Sequence, residues 1–351
     1  MNRRDSLFDS IKGIAILGIM IVHLAQWNFR LEEGSILYLI CSSGALGVEL
    51  TFLVNGFFLA RHYYYDVNLK TWKYIVSQFL RVIPVYWGGL LCFLISEIVS
   101  EEGCKSSTLN ILSHFFFFNG VVPKWWNGFM GGTGYFGIIA IMWILFPIFM
   151  YKVVESRVAY VRTIVIIVFS HFFMNMIYFV DRLVVEADNA EVVNSWAWYL
   201  NRGFLGCGLG ISLFFFVKDN CPLKISRLKK KVVVYCLIAF LALSILTSNS
   251  SSDGLWFSVV WCIIIAFAEG EKIIFIDNPI FEFMGKNITE LFVLHIVLYY
   301  IVIENMKLIN VGPIAFIIIM TMSSILAPIL RRYISEPFRR MVYERMGDKN
   351  S

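Results

Sequence analysis

Two ionisable side chains in the first apolar segment are spaced to do chemistry together. Lys12 and His23 lie eleven positions apart within residues 11–27. At about 100° per residue, that spacing returns to within about 20° of the same helix face, about 16 Å further along the axis. Histidine suits proton transfer near neutral pH, and a lysine ammonium can hold an anion. The pattern indicates one helix that presents a cation near the mouth of a cavity and a general base deeper inside it.

Each of the two residues also has a plain structural interpretation. A lysine near a helix end often extends its amine to the membrane surface. A histidine between helices can serve only as a hydrogen-bonding group. Position alone leaves both interpretations open for Lys12 and for His23.

Other polar residues lie inside apolar segments, where they are costly and are therefore functional candidates. Glu49 and Asn55 belong to the second segment, and Asn55-Gly56 is also compatible with close helix packing alone. Arg202 heads a glycine-rich stretch, and His295 lies in the middle of a late segment. Asn55, Arg202 and His295 are predicted to line the cavity.

Arg81 is predicted to open the third apolar segment at the cytoplasmic surface. A guanidinium there can bind phosphate. It serves equally well as a positively charged anchor on the cytoplasmic side, which needs no ligand.

The segments that must position these residues are hydrophobic throughout the chain. Of 351 residues, 58% are hydrophobic and 16% are charged, and the mean hydropathy is +0.71. Soluble domains carry about 25% charged residues. The composition therefore predicts a single membrane-embedded domain over residues 1–351, of the all-α class.

Apolar runs that can span a bilayer follow one another along the chain, about ten in number. They are residues 11–27, 36–60, 82–96, 135–151, 164–180, 196–217, 232–246, 255–268, 288–303 and 311–330. The run 109–122 is ambiguous. If Arg3 and Arg4 are cytoplasmic, the later basic loops are also cytoplasmic only when the segment 109–122 enters the membrane and returns to the same side. We predict a transmembrane helical bundle with one re-entrant or interfacial segment and both termini in the cytoplasm.

Charge and cysteine usage exclude several function classes. The net charge of +5 lies in short clusters between apolar runs, as in cytoplasmic loops, and does not form a nucleic-acid-binding face. The seven cysteines are scattered without a CxxC pair, which argues against a disulfide framework and a metal site. The lipid bilayer is the expected partner, and neither nucleic acid nor a permanently bound cofactor is expected.

Five motifs in order resemble the acyltransferase 3 family, bacterial membrane enzymes that acylate surface glycans and lipids. The motifs are Lys12 with His23; Gly47, Glu49, Phe52, Gly56 and Phe57; Arg81, Pro84 and Tyr86; residues 285–295; and residues 332–337. At three places the sequence differs from the family's motifs, and the family's functional residues cannot be assigned there. No carboxylate occurs near Ile139, Gln78 replaces the first of two arginines, and residues 287–289 replace a Ser-Tyr turn.

The resemblance implies an O-acetyltransferase of the bacterial inner membrane. It would move an acyl group, most often acetyl, from cytoplasmic acyl-CoA to a hydroxyl of a surface polysaccharide such as O-antigen, capsule or exopolysaccharide. Lys12 and Arg81 would hold the phosphates of acetyl-CoA, the donor substrate. His23 would act as a general base or a transient acyl carrier. Lys12 and Glu49 complete the predicted catalytic set, with Glu49 orienting the imidazole.

Two other function classes share the same spans and buried polar groups. One is a flippase or exporter of a glycan or lipid, and the other is a non-catalytic subunit of a polysaccharide assembly complex. A transporter would not require a lysine and a histidine on the same face of the first helix, whereas a CoA-dependent enzyme would. Loss of acyl transfer with intact glycan export would separate the enzyme from both alternatives.

Overall fold

The structure is a computed structural model, and its described residues form helices joined by turns, with no strand among them. The described residues are 3–28, 31–32, 34–65, 71–99, 106–122, 125–126, 128–154, 187–218, 226–247, 254–268, 271–301 and 312–345, together with the single residues 161, 165, 169, 172 and 176. The predicted all-α class is confirmed for this part of the chain.

The described helices run from α1 to α13. They are α1 Arg3–Asn28, α2 Ile36–Ser43, α3 Gly47–Tyr65, α4 Thr71–Val99, α5 Thr108–Phe115, α6 Gly134–Val154, α7 Ala187–Lys218, α8 Arg227–Thr247, α9 Gly254–Ala268, α10 Pro279–Lys286, α11 Ile288–Tyr299, α12 Gly312–Leu330 and α13 Glu336–Arg345. Short 3-10 turns occur at Gly44–Leu46 and Phe118–Gly120, and a π-helical turn at Arg331–Ser335.

The chain divides into two compact units. Unit 1 comprises Met1–Val22, Leu31–Leu69 and Ile144–Lys286; unit 2 comprises His23–Arg30, Lys70–Trp143 and Asn287–Ser351. Most of α1 therefore belongs to unit 1, whereas its last residues, from His23 onward, belong to unit 2.

Five helical stretches in the described part of the chain are long and apolar enough to cross a membrane. They are Ser6–His23, Ile36–Tyr65, Thr71–Val99, Tyr199–Lys218 and Ile314–Glu344. Shorter apolar helices cover Gly134–Ile148, Trp256–Ala268 and Ile288–Tyr299. These helices support the predicted membrane bundle. The ten spans and the cytoplasmic termini stay predictions, and most of the predicted span 164–180 lies outside the described residues.

The second predicted span, 36–60, is interrupted in the structure. Helix α2 ends at Ser43, the turn Gly44–Leu46 follows, and α3 begins at Gly47. The interruption places Glu49 in the first turn of α3. A carboxylate there interacts favourably with the positive end of the helix dipole.

The helix that contains the third predicted span, 82–96, begins earlier than that span. The predicted position of Arg81 at the start of the helix was therefore wrong. Helix α4 has 29 residues from Thr71 to Val99, so Arg81 lies inside the helix and does not open it. The reason is local. Residues 71–81 contain neither glycine nor proline, the residues that most strongly interrupt a helix.

The ambiguous segment 109–122 is broken into short pieces. Helix α5 has 8 residues, far fewer than the ~20 needed to cross a bilayer. Phe117 then adopts a left-handed conformation with φ 61°, and the 3-10 turn Phe118–Gly120 follows. The segment therefore does not form one membrane-spanning helix. That it enters the membrane and returns to the same side stays a prediction.

Helices α3 and α7 of unit 1 approach each other closely through glycines. A Cβ atom on Gly56 would overlap the backbone of Cys207, and one on Gly210 would overlap the carbonyl of Leu53. Gly56 is therefore required for packing, one of the two interpretations that the sequence left open for Asn55-Gly56.

Candidate active site

His23 and His295 are directly hydrogen-bonded in unit 2. The Nδ1 atom of His23, near the end of α1, lies 3.0 Å from the Nε2 atom of His295 in α11. The two ring planes are 16° apart. His295 is fully buried, whereas His23 is half-buried. The pair thus joins a partly accessible imidazole to one enclosed by protein.

The hydrogen bonds determine which nitrogen of each neutral ring carries the proton. His295 Nδ1 lies 3.0 Å from the carbonyl oxygen of Leu291. Because a carbonyl only accepts, this Nδ1 carries the proton and the Nε2 of His295 carries a lone pair. His23 Nδ1 must then donate to that Nε2. The basic lone pair of His23 therefore lies on its own Nε2, the atom that can take a proton from a substrate.

A glycine turn before α6 lies against the imidazole of His23. Gly132 has φ 79°, a conformation that favours glycine. A Cβ atom at this position would lie 3.2 Å from Cε1 of His23 and 3.4 Å from Cδ1 of Ile296. This turn was not predicted from the sequence. The glycines at 131, 132 and 134 could have indicated a turn, but not its neighbour.

Aromatic side chains fix the position of α11 in unit 2. Phe292 contacts His295 with ring centroids 5.6 Å apart and Phe136 with centroids 4.9 Å apart. Phe136 in turn contacts Tyr86 of α4 at 4.6 Å. Tyr86, which belongs to one of the five motifs, is fully buried. This motif therefore supports the helix that carries His295.

Glu49 and Arg202 form a buried ion pair in unit 1. Nε and Nη2 of Arg202 donate to the two carboxylate oxygens of Glu49, and Nη2 also donates to the Ala45 carbonyl at 2.8 Å. Glu49 is 1% exposed and Arg202 is 5% exposed. Two opposite charges in contact neutralise each other in a medium where either alone would be very costly.

This ion pair changes the interpretation of two predicted site residues. Glu49 was predicted to orient His23, but the partner that the structure describes for its carboxylate is Arg202. The partner described for His23 is His295, a residue predicted only to line the cavity. Asn55 is half-buried, and its side-chain amide donates to the Thr51 carbonyl of its own helix at 2.7 Å.

Lys12 lies in unit 1 with an acid and an aromatic ring beside it. Its Nζ is 3.0 Å from the Asp9 carboxylate and 4.9 Å from the ring centroid of Phe58. The side chain remains 25% exposed. Arg81 lies in α4 of unit 2, and its side chain is exposed.

The arrangement around His23 can perform acid–base chemistry. A half-buried imidazole with a defined tautomer and a fixed neighbour is the usual form of a general base or a nitrogen nucleophile. Among the described residues, no group of three histidines, cysteines or carboxylates is arranged to hold a metal ion.

The comparison with protein families identifies the chemistry. The acyltransferase 3 family model, described as an acyltransferase domain, matches residues 6–332 and so covers nearly the whole chain.

The chain belongs to the acyltransferase 3 family.

Both imidazoles of the candidate site lie inside the matched region, as do Lys12, Glu49, Arg81 and Arg202. The suspected membership is therefore confirmed, and with its apolar helices this acyltransferase is an integral membrane enzyme. Comparisons with curated proteins and with solved structures give no match.

Proposed function

We propose that this acyltransferase moves an acyl group, acetyl in the commonest case, from cytoplasmic acyl-CoA to a hydroxyl of a cell-surface polysaccharide. The observation that carries the proposal is the chain of hydrogen bonds from His23 through His295 to the Leu291 carbonyl. It supports a base at Nε2 of His23, which is what acyl transfer to an alcohol requires.

In the proposed reaction, Nε2 of His23 takes the proton of the acceptor hydroxyl. The oxygen attacks the thioester carbonyl, and the carbon–sulfur bond breaks as the new ester bond is completed. The imidazolium returns its proton to the leaving thiolate, so the products are an ester and the CoA thiol. Transient acylation of His23 at the same Nε2 is the alternative order of steps.

His295 is the positioning residue in this scheme. Its Nε2 accepts a hydrogen bond from the Nδ1–H group of His23 and holds the ring in one tautomer. When His23 becomes an imidazolium, the same hydrogen bond becomes charge-assisted and therefore stronger. The stabilisation is greatest when the proton has been taken, which favours the transition state over the ground state.

The donor's phosphates would be held by cations at the cytoplasmic side. Lys12 and Arg81 are the predicted residues, and both are accessible. A polyanionic donor is attracted by fixed positive charges. The donor is a substrate in this proposal, and no permanently bound cofactor takes part.

The test is proton NMR of surface polysaccharide from cells that carry the native chain, the His23→Ala variant or no copy. We expect an ester-linked acyl signal only with the native chain, at equal membrane abundance of both proteins. An unchanged ester signal in His23→Ala would remove His23 from the chemistry. Polysaccharide that never carries ester but differs in surface amount would instead support a flippase or exporter.

A further inference from the structure

A β-turn centred on Gly131 and Gly132 in unit 2 approaches both the imidazole of His23 and the hydroxyl of Tyr300. Gly132 has φ 79°, and a Cβ atom there would lie 3.2 Å from His23 Cε1. A Cβ atom on Gly131 would lie 3.2 Å from the hydroxyl oxygen of Tyr300. Two adjacent residues of one turn therefore lie against the base and a phenol.

Tyr300 is held at this turn by the helix that also carries His295. It directly follows α11. The five residues from His295 correspond to about 7.5 Å along the helix axis. The Tyr300 ring lies edge-on against Phe93 of α4 with centroids 4.5 Å apart, and Phe93 contacts Phe129 at 5.0 Å. Packing therefore fixes the ring, while the side chain as a whole is only half-buried.

The backbone N–H group of Gly132 is available to a ligand. The turn is closed by a different hydrogen bond, of 3.3 Å, from the Thr133 N–H to the Met130 carbonyl. Within the described part of the chain, the Gly132 N–H donates no hydrogen bond. Gly132 is half-buried and has no side chain to cover this N–H. Because backbone N–H groups inside proteins are nearly always paired, this donor beside a base indicates an acceptor on a bound molecule.

The spacing of the base and the two donors suits acyl transfer. From the Cβ contacts, ordinary bond lengths place the Gly132 nitrogen within about 7 Å of both His23 Nε2 and the Tyr300 oxygen. A tetrahedral carbon whose two oxygens bond to a base and to a donor spans about 6–8 Å between those two groups. The attacking hydroxyl can therefore contact His23 Nε2 while the carbonyl oxygen contacts the Gly132 N–H.

We propose that the N–H of Gly132 and the hydroxyl of Tyr300 form an oxyanion hole, which binds the carbonyl oxygen of the acyl group. When the acceptor hydroxyl attacks, the carbonyl π electrons move onto this oxygen, and the two donors stabilise its negative charge. When the carbon–sulfur bond breaks, these electrons re-form the carbonyl, and both donors keep their protons. The assignment rests on the proposed function and makes Tyr300 a further catalytic residue.

Steady-state kinetics of the purified full chain in nanodiscs tests both donors. Tyr300→Phe removes the hydroxyl but keeps the ring, so we expect kcat to fall about 100-fold with the KM for acetyl-CoA within about twofold. Tyr299→Phe, at the neighbouring half-buried tyrosine, is the matched control and should keep native kcat. Gly131→Ala should lower kcat by displacing the hydroxyl, with little further effect in Tyr300→Phe. Glycolic acid incorporated in place of Gly132 replaces only the N–H by an ester oxygen and should also lower kcat about 100-fold.

Two coenzyme A analogues separate an oxyanion hole from a structural role of Tyr300. A trifluoromethyl ketone analogue forms a tetrahedral hydrate that imitates the reaction intermediate, whereas a thioether analogue lacks the carbonyl oxygen. The native chain should bind the ketone more tightly than the thioether. Tyr300→Phe should lose about tenfold in affinity for the ketone and keep native affinity for the thioether.

The outcomes distinguish this proposal from the proposed function. Native kcat and native ketone affinity in Tyr300→Phe would overturn the oxyanion hole and leave acyl transfer intact. Equal losses of affinity for the ketone and the thioether would also overturn it, because Tyr300 would then only shape the donor site. A native chain that binds neither analogue and forms no ester contradicts both proposals. Tyr300-dependent ketone binding without ester on the polysaccharide supports the oxyanion hole and contradicts the proposed acceptor.

Discussion

The Nδ1 atom of His23 lies 3.0 Å from the Nε2 atom of His295, and His295 is in turn held by the carbonyl of Leu291. A backbone carbonyl has one hydrogen-bonding role, so it determines the tautomer of both rings. The basic nitrogen of His23 is thereby defined by a backbone group two hydrogen bonds away.

Replacement of His295 should slow acyl transfer without weakening donor binding. We expect His295→Ala to lower kcat about 100-fold, because the His23 ring loses its fixed tautomer. The KM for acetyl-CoA should stay within about twofold, since His295 does not hold the donor. Steady-state assays of purified protein would measure both constants.

His295→Gln tests the same hydrogen bond more gently, because the amide oxygen of glutamine can accept the hydrogen bond that His295 Nε2 accepts from His23. It should recover part of the lost kcat. His62→Ala, which removes a histidine near the end of α3, is the control and should keep native activity. Equal kcat in the native chain and in His295→Ala would show that the hydrogen bond has no part in catalysis.

A side chain at Gly132 should displace the imidazole of His23. Gly132→Ala adds a Cβ atom 3.2 Å from His23 Cε1 and strains a backbone with φ 79°. We expect activity to fall at least tenfold, with a loss of about 1 kcal/mol or more in stability. Gly88→Ala is the matched control, because a Cβ at Gly88 meets open space. Native activity in Gly132→Ala would contradict the close approach of this turn to His23.

Glu49 and Arg202 should behave as one unit in stability measurements. Either Glu49→Gln or Arg202→Gln leaves an uncompensated buried charge and should cost about 3–5 kcal/mol. The double variant should be more stable than either single variant, because no charge remains. Thermal unfolding in detergent would provide the four values of the cycle.

The same double variant separates two roles for Glu49. If the ion pair only stabilises the fold, activity should return together with stability. If a stable double variant stays inactive, Glu49 or Arg202 has a direct part in the reaction, as the sequence first indicated for Glu49.

Lys12 should affect donor binding more than the chemical step. We expect Lys12→Met to raise the KM for acetyl-CoA about tenfold with little change in kcat, because it removes a fixed cation. Asp9→Asn removes the carboxylate beside Lys12 but leaves the cation, so its KM should not rise. If both variants lose stability equally and neither changes KM, the Lys12–Asp9 contact is only a structural ion pair.

The predicted topology can be tested through the C-terminus. The charge pattern predicts that both termini lie in the cytoplasm. A green fluorescent protein fused after Ser351 should therefore fluoresce. A C-terminal alkaline phosphatase fusion should be inactive, and an active one would contradict the topology.

Much of the helical framework could be predicted from hydrophobicity, because long apolar runs must form helices in a bilayer. The predicted spans 135–151 and 255–268 closely match α6 and α9. The long start of α4 was missed because its first turns are polar, and hydropathy does not register a helix outside the apolar region.

The sequence could predict individual residues of the candidate site, but not which of them contact each other. His23 and Lys12 stood out because ionisable groups are rare inside apolar segments. Their partners could not be inferred, since His23 and His295 are 272 positions apart and Glu49 and Arg202 are 153 positions apart. Such pairs depend on how the helices pack, which a single sequence does not record.

The proposed role of His23 can be tested directly by the transfer of radiolabelled acetyl from acetyl-CoA to polysaccharide in inverted membrane vesicles. These vesicles expose the cytoplasmic face to the donor. The native chain and His62→Ala should both label the polysaccharide, whereas His23→Ala should reduce labelling at least 100-fold at equal protein abundance. Equal labelling by His23→Ala and the native chain would contradict the assignment of His23 as the base or acyl carrier.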